Sequence, residues 1–235
     1  MARMAMETGR RPVLRRHMDP SERQAGVLGL FGAFCFVVVA IYVRLIGRAD
    51  LDTSLQAALR AAAEWVDPFG SYWVEAAARD LAPAGGPTMI GLVVAVAVVH
   101  VALTRGWGGA ALVLAALGGG VLLGVLLKIG FGRSGVPISL HWLPLFGASF
   151  PSAGALVPAI VYPTLGAVLA VTYGGGLVGA FLIGCSALAA LLIGLSRAVL
   201  GVHLPTDVLA GWSAGLAWAS LCWIVMRRTR GWGRI

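Results

Sequence analysis

Apolar residues in this chain fall into long, nearly unbroken runs separated by short polar links, a pattern of whole-helix burial rather than of one-sided stripes. Runs close to the ~20 residues needed to cross a hydrocarbon core recur from residue 25 to residue 226. They predict six spans, at about 25–46, 87–104, 109–127, 155–173, 177–195 and 208–226. Segment 47–86 breaks the pattern. Asp50, Asp52, Glu64, Asp67, Glu75 and Asp80 accumulate there beside Arg48, Arg60 and Arg79, while Leu51, Leu55, Leu59, Ala62, Trp65 and Val66 recur at helical spacing. Amphipathic helices lying along the outer surface are expected, broken at Pro68, Phe69 and Gly70. The expected fold is an all-α membrane protein with six transmembrane helices and amphipathic external helices between the first two spans.

Composition excludes a soluble globular domain. Hydrophobic residues make up 59% of the chain and charged residues 12%, where a soluble domain carries about 25% charged residues. The net charge of +8 does not point to nucleic acid, because the basic residues collect at the ends. Arg3, Arg10, Arg11, Arg15, Arg16 and Arg23 precede the first apolar run, and Arg227, Arg228, Arg230 and Arg234 follow the last. The chain therefore divides into a basic N-terminal tail (1–24), a six-helix membrane domain (25–226) and a basic C-terminal tail (227–235). Positive-inside placement makes both tails cytoplasmic, near anionic headgroups of the lipid bilayer, and the compact, arginine-rich style suits a bacterial inner membrane. The first run starts too late and is too long for a cleaved leader, so it is expected to stay as a membrane helix. Cys35, Cys185 and Cys222 sit in apolar runs without metal-ligand spacing, so inert thiols and no metal or cofactor are expected. Gly118, Gly119, Gly120 and Gly124 are expected to permit close helix packing.

Helix parity then sorts the links. Arg105-Gly106-Trp107 and Gly174-Gly175-Gly176 become cytoplasmic turns, and links 128–154 and 196–207 both face outward, on the periplasmic side. Those two links hold nearly all the remaining polar chemistry: Lys128, Arg133, Ser134, Ser139, His141, Ser149 and Ser152 in one, Ser196, Arg197, His203, Thr206 and Asp207 in the other. Lys128, the chain's single lysine, ends an apolar helix, where a charge is costly and calls for a partner or for snorkelling to the surface. Asp207 follows His203 by four residues, so a helix beginning near Leu204 lets the carboxylate accept a bond from one imidazole nitrogen and leaves the other as a nucleophile. Arg197 offers a fork of donors suited to phosphate oxygens, and Ser196 adds a hydroxyl.

The run from Ser196 to Asp207 resembles the third signature of the type 2 phosphatidic acid phosphatase family, S-R-x5-H-x3-D, without a departure. Phe131-Gly132-Arg133 and Ala148-Ser149-Phe150-Pro151-Ser152 resemble its first two signatures, and the six-helix plan and the Ala78-Arg79-Asp80-Leu81 stretch extend the resemblance over most of the chain. The resemblance implies that His203 attacks phosphorus to form a phosphohistidine, that Asp207 orients it, and that Arg197 binds phosphate with Ser152, Ser196 and Lys128. Four positions depart from the pattern, with Val136 in place of the first signature's proline and Ala153 in place of the second's glycine, and the other two bear on chemistry. Gly135 stands where the first signature, K-x6-R-P, has its arginine, and Gly154 stands where the second, P-S-G-H, has the histidine that protonates the leaving group. Losing a general acid typically costs 10²–10⁴ in rate, although a leaving phosphate departs without a proton more readily than an alkoxide does. Arg133 and His141 are candidate substitutes. The expected activity is a phosphatase acting on a phosphorylated membrane lipid, either a lipid phosphate or a lipid pyrophosphate. The alternative is an impaired or inactive relative that binds phosphorylated lipid or a protein partner.

Overall fold

The computed structural model describes residues 20–46, 50–66, 72–132, 149–173 and 176–229. These form eight α-helices: α1 (Pro20–Ile46), α2 (Asp50–Val66), α3 (Tyr72–Leu81), α4 (Pro87–Arg105), α5 (Trp107–Phe131), α6 (Ala153–Thr172), α7 (Gly176–Val199) and α8 (Pro205–Arg228). A 3₁₀ turn, Ala82–Gly85, joins α3 to α4. Among the described residues there is no strand, and six helices, α1 and α4 to α8, are long and apolar enough to cross a membrane. Each expected span falls within or within a residue of one of them, and α2 and α3 occupy the amphipathic segment. The protein is an integral membrane protein. Large apolar side chains that point outward, among them Leu30, Phe31, Phe34, Leu45, Leu103, Leu177 and Phe181, would be an aggregation hazard in water and are suited to lipid.

The most deeply buried span is α6, despite Pro158 and Pro163 inside it. Neighbouring helices satisfy backbone groups that proline frees in a membrane helix. Helix α8 lies against it so closely that a Cβ on Gly211 would stand 2.7 Å from the Ser152 carbonyl oxygen, and one on Gly215 would stand 2.6 Å from Ala159 Cβ. These two glycines, four residues apart, give α8 a flat strip for backbone contact, which in lipid replaces the hydrophobic drive that helices have in water. The other side of α8 packs on α1, where Gly32 approaches Ser213 O and Ala217 N. The indole of Trp218 donates to Ala116 O at 2.8 Å and ties α8 to α5. Of the glycines expected to allow close packing, Gly119 meets Trp218, Gly120 meets Ile160 and Trp218, and Gly124 meets Leu156, whereas Gly118 has open space beside it.

In α2, Leu51 is exposed, while Asp52, Leu55, Gln56 and Leu59 turn inward. Asp52 is 1% exposed. The reason for its burial is a partner on α8 described below.

Candidate phosphate site at one end of the bundle

Four chain segments meet where α5 and α7 end and α6 and α8 begin. The end of α5 is closed by Gly132, which takes a left-handed conformation (φ 56°) and donates its N–H to Lys128 O at 3.0 Å. Phe131, one residue before it, packs on the buried ring of Phe150 with centroids 4.7 Å apart, and Phe36 of α1 contacts both rings at 6.1 Å. This aromatic triad pins the Lys128 turn to the segment leading into α6. Lys128 is buried, 8% exposed. It is therefore part of this end of the bundle.

The second segment is tied to α8 through backbone. Ser152, at the N-cap of α6, donates its amide to Asp207 O at 2.9 Å, and Leu156 N–H returns to Ser152 O at 2.9 Å. The Ser152 side chain is fully buried, and its hydroxyl has no hydrogen-bond partner among the described residues. A buried hydroxyl without a partner is costly in a folded interior.

The third segment owes its spacing to a helix stop. Helix α7 runs to Val199, so Ser196 and Arg197 belong to its last turn rather than to an external link as expected, and the connection to α8 shrinks to Leu200–Leu204. Gly201 (φ 69°) donates to Ala198 O at 3.0 Å, and Val202 donates to Arg197 O at 3.1 Å. These paired bonds are those of a Schellman cap, which needs a left-handed residue where Gly201 stands. The His203 amide also donates to Arg197 O, at 3.2 Å. Leu204 then takes the N-cap position of α8, Pro205 opens the helix, and Asp207 sits fully buried in the first turn, where the helix dipole favours a carboxylate. The five residues between Arg197 and His203 thus turn the chain out of one helix, and the three before Asp207 start the next.

The Arg197 guanidinium donates to Ala82 O in the 3₁₀ turn at 2.6 Å, while its Nε is buried without a hydrogen-bond partner among the described residues. Its shaft fills the place that a side chain at position 154 would need: a Cβ on Gly154 would stand 2.8 Å from Arg197 Nε and 3.3 Å from Cγ and Cδ. The departure at Gly154 and the path of Arg197 are one packing arrangement. Tyr162 OH also donates to the 3₁₀ turn, at Ala84 O (2.9 Å).

Ser196 is placed differently from the rest. Its hydroxyl donates back to Ile193 O at 2.7 Å, and the residue lines an apolar groove of about 340 Å³ between α2, α3 and α7, beside Leu59, Trp73, Leu81 and Leu192. Its one donor is spent within its own helix. Arg133, Gly135 and His141 lie outside the described residues. Sequence reasoning missed Asp52, whose Oδ1 accepts the Thr206 amide at 3.1 Å and whose Oδ2 accepts the Thr206 hydroxyl at 2.9 Å. No sequence motif announces that contact, which spans 154 positions; the nearest signal was an acidic residue on a helix face that otherwise turns leucines inward.

Among the described residues no cluster of His, Cys, Asp and Glu could hold a metal ion. The fold and this end of the bundle define a class, that of six-helix membrane proteins with a polar site formed where helices α5 to α8 meet. No family model matches the sequence, and no curated protein matches it. Among solved structures, the chain is similar to the crystal structure of a transmembrane PAP2 type phosphatidylglycerolphosphate phosphatase from Bacillus subtilis, with a TM-score of 0.66 and 24% identity, over 88% of this chain and 98% of that one. The chain has the PAP2-like fold.

Proposed function

We propose that this protein is a membrane-embedded phosphatase of lipid phosphates or lipid pyrophosphates that works through a phosphohistidine on His203. The observation that carries the reading is the meeting of Lys128, Ser152, Arg197, His203 and Asp207 at one end of the bundle, although the first and last are far apart in sequence. Lys128 and Arg197 supply positive charge for phosphate oxygens, and the buried Ser152 hydroxyl is a donor in want of an acceptor. An imidazole nitrogen of His203 attacks phosphorus as the bond to the leaving group breaks, and water then releases phosphate from the histidine. Asp207 holds the ring. The fold shared with a protein described as a phosphatidylglycerolphosphate phosphatase supports this class of substrate, as does a site at the end of a lipid-facing bundle. The arginine distribution supports a periplasmic site and cytoplasmic termini.

Gly154 shapes the substrate preference. With no acid at that position, expulsion of an alkoxide is unassisted, whereas a leaving phosphate, whose second pKa is about 6, departs as an anion. Lipid pyrophosphates are therefore the better substrates. One observation favours the binding-only reading: Arg197 is engaged by Ala82 O and must be shared with or released to a phosphate. Phosphate release by the full-length protein in nanodiscs, measured on a lipid pyrophosphate and a lipid monoester with His203→Ala as blank, decides between the two. Turnover of the pyrophosphate at least about tenfold faster than the monoester is expected. Release equal to the blank on both would sink the enzymatic reading and leave the binding one.

A further inference from the structure

Helix α8 carries Asp207, yet no side chain of its own chain segment caps its N-terminus: Leu204 occupies the N-cap position and makes no side-chain bond. The first amides of a helix need acceptors. Here the acceptor comes from another helix. Asp52 of α2, 1% exposed, takes the Thr206 amide on one oxygen and the Thr206 hydroxyl on the other, at 3.1 and 2.9 Å. The same face of α2 continues along the turn that precedes α8. Gln56 Nε2 reaches Ala198 O at 3.5 Å, and Gly201 lies where a Cβ would meet Gln56 Nε2 at 3.3 Å and Arg60 Nη2 at 3.5 Å. Leu59 packs with Ala198 and Val208, on either side of the turn. So α2 spans the whole connection from the end of α7 to the start of α8, and its buried Asp52 carboxylate meets that connection one residue before Asp207.

We infer that Asp52 is a positioning residue: it caps α8 from α2 and so fixes the Thr206–Asp207 peptide on which the orientation of His203 depends. The catalytic half of this inference rests on the proposed function; the capping half does not. A carboxylate that accepts two hydrogen bonds from one residue removes both the rotation of the Thr206 hydroxyl and the fraying of the first turn, and small misplacements near a nucleophile can cost as much as ~10² in rate.

The two halves are tested together on the full-length protein in nanodiscs. Amide hydrogen exchange is followed at residues 206–208, with α8 residues 215–225 as internal reference, and phosphate release is measured on a lipid pyrophosphate. Asp52→Ala should speed exchange at 206–208 by at least about tenfold with the reference unchanged, and should lower kcat by roughly 10- to 100-fold with KM little altered. Asp52→Asn can accept the amide on its oxygen and donate to the Thr206 hydroxyl from its nitrogen, so it should restore both readouts to within about threefold of the wild type. Should Asp52→Ala fail to fold, Thr206→Val, which lacks the hydroxyl, and Thr206→Ser, which keeps it, should reproduce the contrast in weaker form. Unchanged exchange in Asp52→Ala or, should that variant not fold, in Thr206→Val would overturn the inference. So would an Asp52→Asn variant as impaired as the alanine, or a loss expressed in KM alone. If the wild type releases no phosphate from either lipid class, the proposed function fails and the exchange result alone decides whether Asp52 caps α8.

Discussion

Two glycines, Gly201 and Gly154, control the geometry of the proposed phosphate site, and they differ in what they forbid. Gly201 holds a left-handed conformation (φ 69°) with α2 side chains close beside it. Left-handed backbone costs an ordinary residue about 1–2 kcal/mol, and the Schellman cap offers no alternative. Gly201→Ala is therefore expected to destabilise the protein by roughly that amount in thermal unfolding, and to lower phosphate release further, because the His203 amide hangs from the same Arg197 carbonyl. Equal stability in the two proteins would show that the cap can re-form another way. At Gly154 the limit is space rather than backbone. A methyl group there meets Arg197 Nε at 2.8 Å, so Gly154→Ala should cost about 1–3 kcal/mol as overpacking or push the guanidinium off Ala82. Installing histidine at 154 should restore an acid only if Arg197 moves. Gly154→His is thus expected to lose stability and to gain monoester hydrolysis only when Arg197 is shortened, as in Gly154→His with Arg197→Lys; a gain from the single substitution would refute the packing argument.

At the scale of helices, the membrane spans were legible because each is apolar for a length the bilayer dictates, and a run of that kind has no other stable state. Pairing between helices was less so. The glycine cluster of α5 drew attention by density, yet Gly118 faces open space, while Gly211 and Gly215, less conspicuous in sequence, carry the closest backbone contact with α6. Periodicity says which residues share a face, but α5 and α8 are apolar all round, so it cannot say which face meets a neighbour. The contrast gives a direct test. Gly215→Ala should lower the thermal midpoint by several degrees, with a cost of about 1–3 kcal/mol, whereas Gly118→Ala should be neutral or slightly stabilising, since alanine is the better helix former. Equal effects would mean that α8 does not pack on α6 through that strip.

Across the whole molecule, even parity puts the ends of α5 and α7 and the starts of α6 and α8 at one end of the bundle, and the proposed function takes that end as periplasmic from the arginine clusters. In a variant with Cys35, Cys185 and Cys222 replaced by alanine, Tyr72→Cys on α3 should label from outside intact cells, and Trp107→Cys at the opposite turn only after the membrane is opened. The reverse pattern would invert the topology. Length and hydropathy of the apolar runs determined by themselves that this is a six-helix membrane protein, because desolvation of backbone and charge leaves a chain of this composition no other solvent. The spacing of Ser196, Arg197, His203 and Asp207 was equally visible, since it is set by local events, a helix stop and a helix start. Tertiary structure alone decided the rest. That Lys128 is buried, that Ser196 turns away into an apolar groove, that Arg197 fills the place left by Gly154, and that Asp52 caps a helix 154 positions away all depend on which faces of featureless apolar helices meet, and close packing in three dimensions selects those faces by shape, not by any pattern along the chain.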